Sequence, residues 1–479
     1  MNSNNNRNNR NKNRVVITGI GPVTSIARGV DEFFTAVNSL KTAFEPIPSS
    51  YEMGKKYRFK SRFYVKAPEP KLEQYGLPRT LEKILDKASL LAVEASYLAI
   101  KDSALPFKVV TDMKDRERGK ALEFEGDSNI ACILGVGVSS MAACMKAHEA
   151  SVLGEVENSW RDESNATDEE KELNKQELKI IKKYGKELGV AEKFNRVTAF
   201  QVMANASSAW VSILFGLKGE TYNLNTACAS GTYAICRAVE LIRNGNCQVA
   251  LCGGVECLED KFGAPMRSFD MLGALSATTD GNPRPFSDRR SGFLFADGGA
   301  CVLVVESLEH AQQRNAKIYA EIVDYKINSD AYGIVQMDSS GENIRSIISE
   351  FKNKAEEDSE KIDYINAHGT ATYLNDQIES EVVASIFGGD GVKVSEQPLI
   401  NSTKGILGHT IAASGAIEAA VTALAIKNSI VHGSLIERSF STINVPIETV
   451  KRDIKWAMSM SYGFGGHNSG ILFKKYQGK

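Results

Sequence analysis

Short apolar runs alternate along the chain with longer segments in which apolar residues recur at helical spacing. The runs are rich in β-branched residues and end at glycines, which is typical of buried strands that open into loops. They predict strands at 14–21, 129–137, 222–226, 249–255, 300–307 and 318–325, a strand with its loop at 362–372, a strand, loop and long helix at 398–426, and a strand–loop–strand unit at 459–474. Helical spacing predicts helices at 30–40, 84–104, 205–217, 233–243 and 341–355.

This alternation of strands and helices occurs in both halves of the chain, which indicates an α/β protein with two similar layers of sheet and helix. No close sequence repeat links the halves, so the duplication rests on the order of elements alone. Residues 262–297 form a long irregular stretch with three prolines. A loop of this length in a compact domain is usually functional.

Two charged segments, 107–127 and 157–193, have the character of insertions. The second shows helical spacing with a narrow apolar stripe, which is most often a solvated helix and alternatively a docking surface for a partner. Residues 1–13 are polar and of low complexity, so we expect a disordered tail rather than a secretion signal.

The composition is that of a soluble globular protein, with 43% hydrophobic and 24% charged residues and a formal net charge of −2. It gives no argument for binding to nucleic acid or to a membrane surface. The eight cysteines lie mostly in apolar runs rather than in a disulfide framework, which favours a reducing, cytoplasmic setting. Cys247, Cys252 and Cys257 have no CxxC pair or nearby histidine, so no metal site is expected.

The stretch YNLNTACASGTYAICRAVELIRNG places Cys228 in a small-residue turn between a strand and a helix. At a helix start, free backbone N–H groups and the helix dipole favour thiolate over thiol. The sequence therefore predicts a reactive cysteine, although taken alone Cys228 is more simply a packing residue.

Three further stretches share this layout, in which a strand ends in a small-residue loop that carries one chemical group. His368 lies in NAHGTAT, Lys404 and His409 lie in STKGILGH, and Phe464 lies in GFGG. Each is weak evidence by itself, since a lone histidine is usually structural and a loop lysine is usually solvated.

Together the four motifs resemble those of an elongating β-ketoacyl-acyl-carrier-protein synthase, and the resemblance runs from Arg14 to Lys474 outside the two charged segments. Cys228 matches the family nucleophile, and His368 and His409 match its two histidines. The remaining matches are Lys404 to the supporting lysine, Glu418 in GAIE to an acidic residue near it, and Phe464 to the gating phenylalanine.

The resemblance implies a decarboxylative condensation. A thiolate on Cys228 takes an acyl chain from a carrier thioester, and the N–H groups of Cys228 and Phe464 stabilise the oxyanion. Malonyl then loses CO2, and two neutral imidazoles stabilise the enolate that attacks the acyl-cysteine. Lys404 and Glu418 are expected to orient His409, and Thr370 and Thr372 to contact the phosphopantetheine arm.

The implied fold is thiolase-like, with five layers in the order α-β-α-β-α, built from halves at 14–307 and 308–479. The first half supplies Cys228, and the second supplies His368, Lys404, His409 and the GFGG loop. The resemblance also implies no cofactor of the chain's own, an acyl carrier protein with acyl and malonyl thioesters as partners, and a dimer with an identical or related chain.

Related families differ at single residues. A degradative thiolase needs a second cysteine near the C-terminus, and none follows Cys301; initiating and plant-type synthases carry asparagine where this chain has His409. Two alternatives stay open: acyl transfer to an acceptor other than malonyl, and a chain-length or scaffold subunit. The intact histidines favour condensation with malonyl.

The chain departs from the family ending SFGFGGTN, because it reads SYGFGGHN with Tyr462 and His467 beside the gate. With the two charged insertions, this leads to the hypothesis of a specialised polyketide or secondary-metabolite synthase.

Overall fold

The computed structural model describes residues 14–52, 57–78, 80–117, 119–138, 140–161, 166–188 and 196–478. The tail expected at 1–13 lies outside the described residues.

The main sheet has ten strands among the described residues. In chain order they are β1 Val15–Val23, β2 Ile130–Val136, β3 Thr221–Leu224, β4 Val249–Cys257, β5 Gly298–Ser307, β6 Ala320–Ser329, β7 Tyr364–Asn366, β8 Leu399–Asn401, β9 Trp456–Gly463 and β10 His467–Lys474. Three two-stranded ribbons pair Phe44–Pro46 with Phe63–Val65, Phe107–Val109 with Leu122–Phe124, and Ile430–Val431 with Val450–Lys451.

The α-helices of the described residues are α1 Val30–Asn38, α2 Leu81–Ile84, α3 Lys87–Ser103, α4 Met113–Glu117, α5 Met141–Arg161, α6 Asp168–Leu188, α7 Thr198–Val202, α8 Ala206–Phe215, α9 Ser230–Arg243, α10 Ala264–Met271, α11 Leu308–Gln313, α12 Glu342–Glu357, α13 Tyr373–Phe387, α14 Lys404–Leu407 and α15 Ser414–Asn428.

The strand order shows the duplication that the sequence alone did not. The first half of the sheet runs β3-β2-β4-β5-β1 and the second runs β8-β7-β9-β10-β6, so each half has the same order. In both halves the first three strands of this order are parallel and the last two pairings are antiparallel. The halves join where β1 pairs with β6 over three residues. The division of the chain between residues 307 and 308 stays a prediction; β5, the last strand of the first half, ends at Ser307.

Five layers follow from which helices cover which sheet face. Helices α3 and α8 pack outside the first half and α12 and α13 outside the second, while α9 and α15 lie between the two halves. Residues 414–426 of α15 are buried all round, as expected of a helix in a central layer. The contact of α3 with β1 is close, because a Cβ on Gly21 would lie 2.0 Å from a backbone oxygen of α3. The predicted thiolase-like α/β fold is thereby confirmed.

The charged segments and the long loop contain structure that the pattern did not resolve. Residues 107–127 form a ribbon around α4, and the second charged segment is covered by the end of α5 and by α6, apart from 162–165 and 189–193, which lie outside the described residues. Leu173, Ile180 and Tyr184 of α6 are exposed and Leu178 and Ile181 are half-buried, so its apolar residues are only partly covered in this chain. The loop at 262–297 holds α10, which starts with Pro265 in its first turn, where proline fits a helix.

No helix in the described ranges is long and apolar enough to cross a membrane. The same residues contain no group of three or more histidine, cysteine or acidic side chains that could hold a metal ion.

Candidate active site

Cys228 lies in a short 3-10 turn, Ala227–Ala229, that leads from β3 into α9. Ala227 has a φ of 51°, a left-handed conformation that is uncommon for alanine, so the turn is strained. The Ser230 hydroxyl holds it, since Oγ accepts from Thr226 N at 2.9 Å and donates to Ala227 O at 2.7 Å. This elbow fixes the thiol at the beginning of a buried helix.

His409 is the direct partner of the thiol. Its Nε2 lies 3.1 Å from Cys228 Sγ, although 181 residues separate the two in sequence. On the other side of the ring, Nδ1 lies 2.9 Å from Ser414 Oγ, which also accepts a hydrogen bond from Thr410 N at 3.1 Å. A hydroxyl both donates and accepts, so Ser414 can support either neutral tautomer of His409.

Lys404 holds His368 rather than His409, so the expected orientation of His409 by Lys404 and Glu418 is wrong. Lys404 Nζ donates to the His368 carbonyl oxygen at 2.7 Å, faces His368 Nδ1 at 3.3 Å and pairs with Glu418. An ammonium group only donates, so His368 Nδ1 must accept and Nε2 must carry the proton. The loop after β8 places Lys404 beside His368. At His409, Ser414 occupies the position that Lys404 was expected to occupy.

Burial keeps both imidazoles neutral. Burial, and then the positive charge of Lys404, lower the pKa of His368 and of His409 well below its ordinary value. Their rings lie edge to face with centroids 5.7 Å apart. Burial also raises the pKa of Glu418, and Lys404 opposes that rise. His368 therefore presents an Nε2–H donor beside the thiol, whereas Nε2 of His409 accepts or donates according to its tautomer.

The thiol itself is not the low-pKa thiolate that the helix start predicted. Burial raises the pKa of Cys228 to about 12, because desolvation outweighs the lowering by Lys404 and by the backbone N–H groups of Phe464 and Cys228. The resting site is a neutral thiol–imidazole pair. The backbone N–H groups of Cys228 and Phe464, which were expected to stabilise the oxyanion, both lie at the Cys228 sulfur. One belongs to the cysteine turn and the other to the GFGG loop.

The GFGG loop packs directly on the cysteine turn. A Cβ on Gly463 would lie 2.5 Å from Thr226 O and 3.3 Å from Cys228 N, so only glycine allows this approach. Gly465 and Gly466, with φ of 88° and 77°, make the tight turn between β9 and β10. Phe464, between Gly463 and Gly465, lies on the wall of the cavity with its ring centroid 6.3 Å from that of Phe269.

A cavity of about 240 Å³ opens above these groups. Its lining includes Cys228, His368, His409, Phe464, Thr370, Thr372 and Tyr462. The hydroxyls of Thr370 and Thr372 lie 2.9 Å apart on one wall. His467 is instead turned to the Tyr233 ring, with centroids 6.0 Å apart, and is not among the lining residues.

Sequence reasoning missed Ser414 and Glu379. The Glu379 carboxylate accepts from His368 N at 2.9 Å and from Gly369 N at 2.8 Å, and so fixes the loop that carries the histidine. Its signal is an acidic residue on the buried face of α13, one turn after Asp376 and before Val382. For Ser414 the signal is a hydroxyl at the start of the alanine-rich helix, five residues after His409.

Known proteins match the chain over nearly its whole length. The N-terminal domain of the β-ketoacyl synthase family matches residues 12–311, and its C-terminal domain matches residues 319–436. A 3-oxoacyl-[acyl-carrier-protein] synthase 1 of Haemophilus influenzae is 30% identical over 474 residues, which cover 97% of this chain and 100% of that protein. A 3-oxoacyl-[acyl-carrier-protein] synthase homolog of Saccharomyces cerevisiae is 28% identical, with 97% and 99% covered.

Solved structures agree with this match. A β-ketoacyl synthase from Burkholderia phymatum superposes with a TM-score of 0.73 at 26% identity, covering 97% of this chain and 100% of that one. A ketosynthase solved with its type II polyketide acyl-carrier protein and a bound hexaketide gives 0.71 at 25% identity, with the same coverage.

Proposed function

Because the chain belongs to the β-ketoacyl synthase family, we propose that it condenses an acyl chain held on Cys228 with malonyl carried by an acyl carrier protein. One observation carries this: His409 Nε2 lies 3.1 Å from Cys228 Sγ in the same cavity that the neutral His368 faces. The substrates arrive on the phosphopantetheine of the carrier, and the chain's own residues perform the chemistry.

In the first half-reaction, Cys228 Sγ attacks the carbonyl carbon of the acyl thioester. The thiol is neutral at rest, so its proton passes to His409 Nε2 as the new C–S bond forms. The N–H groups of Cys228 and Phe464 stabilise the oxyanion. The carrier thiolate then leaves with the proton from His409, and the acyl chain remains on Cys228.

In the second half-reaction, the malonyl thioester oxygen lies against His368 and His409. The bond to the carboxyl carbon breaks, CO2 leaves, and the electron pair forms an enolate that accepts hydrogen bonds from Nε2–H of His368 and of His409. For this step His409 changes to the tautomer with its proton on Nε2, and Ser414 then donates to Nδ1. The enolate carbon attacks the acyl carbonyl on Cys228, and the cysteine leaves as thiolate, which takes up one proton from solvent to restore the neutral thiol. The product is a β-ketoacyl thioester two carbons longer than the starting chain.

Thr370 and Thr372 are proposed to contact the phosphopantetheine arm, because both line the cavity that holds Cys228. Pairing with an identical or related chain stays a prediction. The specialised polyketide role also stays a prediction. Assays with matched saturated, polyunsaturated and aryl acyl carriers test it, and a clear preference for saturated chains would contradict it.

Intact-protein mass spectrometry tests the condensation directly. Wild type, Cys228→Ala and Cys144→Ser are incubated with an acyl carrier thioester and then with malonyl carrier protein; Cys144 is an exposed free cysteine and serves as the matched control. We expect an adduct on wild type and on Cys144→Ser only, discharged by malonyl with release of CO2. An adduct that malonyl does not discharge favours transfer to another acceptor, and the absence of any adduct favours a scaffold subunit.

A further inference from the structure

His409 needs its proton on a different nitrogen in each half-reaction. To accept the Cys228 proton, Nε2 must be free and the ring proton lies on Nδ1; to donate to the enolate, Nε2 must carry the proton. The ring itself is held in place, because it meets the Phe293 ring edge to face with centroids 5.1 Å apart and the His368 ring with centroids 5.7 Å apart. The groups that contact Nδ1 therefore set the balance between the two tautomers.

Two buried hydroxyl groups, those of Ser414 and Thr410, form a chain behind Nδ1. Ser414 Oγ lies 2.9 Å from His409 Nδ1 and 3.0 Å from Thr410 Oγ1, and it accepts a hydrogen bond from Thr410 N at 3.1 Å. The 3-10 turn Ile411–Ala413 connects Thr410 to the start of α15 and so brings the two hydroxyls together. Ser414 is 2% exposed and Thr410 is 5% exposed, so their polar atoms must find partners within the fold.

A hydroxyl donates one hydrogen bond and accepts two, which fixes the direction of each bond in this chain. With the proton on Nδ1, Ser414 Oγ accepts from Nδ1 and from Thr410 N, and its own O–H donates to Thr410 Oγ1. With Nδ1 free, the Ser414 O–H donates to Nδ1, and the Thr410 O–H donates to Ser414 Oγ instead. Ser414 thus makes three hydrogen bonds with either tautomer, provided that the Thr410 hydroxyl accepts in one case and donates in the other. When it accepts, its own O–H can turn to a cavity of about 10 Å³ that Thr410 lines with Lys404 and Glu418, which has room for about one water molecule.

We propose that the Thr410 hydroxyl is a positioning group that stabilises the tautomer of His409 with a free Nε2, the form that accepts the Cys228 proton. The inference rests on the proposed function. Without this hydroxyl, the Ser414 O–H lacks an acceptor when Nδ1 is protonated, and an unpaired buried donor is unfavourable. When Nδ1 is free, the Ser414 O–H still donates to it, and an oxygen with one unused lone pair is tolerated more readily. The change of tautomer takes one proton from solvent at Nε2 and returns one to solvent from Nδ1, so the net charge is unchanged.

The test measures the two half-reactions separately, as the rate of acylation by a carrier thioester and the rate of CO2 release from malonyl carrier on acylated enzyme. Thr410→Val replaces the hydroxyl by a methyl group, and Thr410→Ser keeps it. Thr232→Val is the matched control, because it breaks another buried pair of threonine and serine hydroxyls, with Ser461, whose oxygens lie 2.7 Å apart. We expect Thr410→Val to slow acylation roughly tenfold, with CO2 release unchanged or faster, because the balance shifts toward the donating tautomer. Thr410→Ser should acylate like wild type, and Thr232→Val should leave the ratio of the two rates unchanged.

Nitrogen NMR of protein labelled at histidine reads the tautomer without substrate, and the His409 signals are assigned by their loss in His409→Asn. We expect Thr410→Val, and Thr410→Ala as a second variant, to move these signals toward the form protonated on Nε2. Equal slowing of both half-reactions, or His409 signals that match those of wild type, would overturn the inference. If wild type itself releases no CO2 from malonyl, the proposed function fails, whereas the NMR signals still decide the role of Thr410.

Discussion

Ser414→Ala is the sharpest perturbation of the catalytic pair, because it removes one oxygen and leaves every catalytic group in place. That oxygen lies 2.9 Å from His409 Nδ1, 3.1 Å from Thr410 N and 3.0 Å from Thr410 Oγ1. All these groups are buried, so the variant leaves His409 Nδ1 and a backbone N–H without a partner. An unpaired buried polar group costs about 1–3 kcal/mol.

This cost falls on the histidine that receives the Cys228 proton. If most of this free-energy cost raises the barrier to acyl transfer, acylation slows by roughly 5- to 150-fold, because each 1.36 kcal/mol corresponds to a tenfold change in rate. The assay is a time course of the acyl adduct on Cys228 by intact-protein mass spectrometry at saturating carrier thioester. We expect no change in the carrier concentration that gives half-maximal rate, since Ser414 does not line the cavity.

Ser459→Ala is the matched control. Ser459 is fully buried in β9, and its hydroxyl has no hydrogen-bond partner in the described structure, so its removal should be neutral or slightly stabilising. Acylation of Ser414→Ala within twofold of wild type would show that His409 keeps its orientation without the serine. Equal slowing of Ser459→Ala would assign the effect to packing and refute the reasoning.

Three further predictions follow from the same geometry. Lys404→Met leaves Glu418 buried without its cation and should lower the free energy of unfolding by roughly 3–5 kcal/mol in urea titrations; adding Glu418→Leu should recover part of this, and a double variant as unstable as the sum of the singles would contradict the pairing. Gly463→Ala places a Cβ 2.5 Å from a backbone oxygen, so its melting temperature and acylation rate should fall by overpacking of about 1–3 kcal/mol, while Gly389→Ala, with its nearest contact at 3.9 Å, should match wild type. Since the pKa of Cys228 is raised to about 12, the thiolate fraction rises with pH, and alkylation by iodoacetamide should rise by about tenfold per pH unit from 7 to 10; a plateau near neutral pH would show a low-pKa thiol instead.

The sequence by itself determined the elements and the reactive groups. Apolar runs predicted the strands of both half-sheets, because strands covered on both faces are mostly apolar; β1 and β4 are buried at every position. The motifs around Cys228, His368 and His409 were visible because each combines a chemical group with the small residues that let it approach its neighbours. The fold and the family followed from these local features.

Only the tertiary structure decided which groups touch. Lys404 contacts His368 and Ser414 contacts His409, and no spacing in the chain distinguishes that pairing from the reverse. The protonation state of Cys228 was predicted wrongly for the same reason. A helix start is a local feature that favours thiolate, whereas desolvation depends on how β9, α9 and the loop before α15 close around the sulfur. Contacts between residues 181 positions apart, and the burial they produce, are properties of the assembled layers.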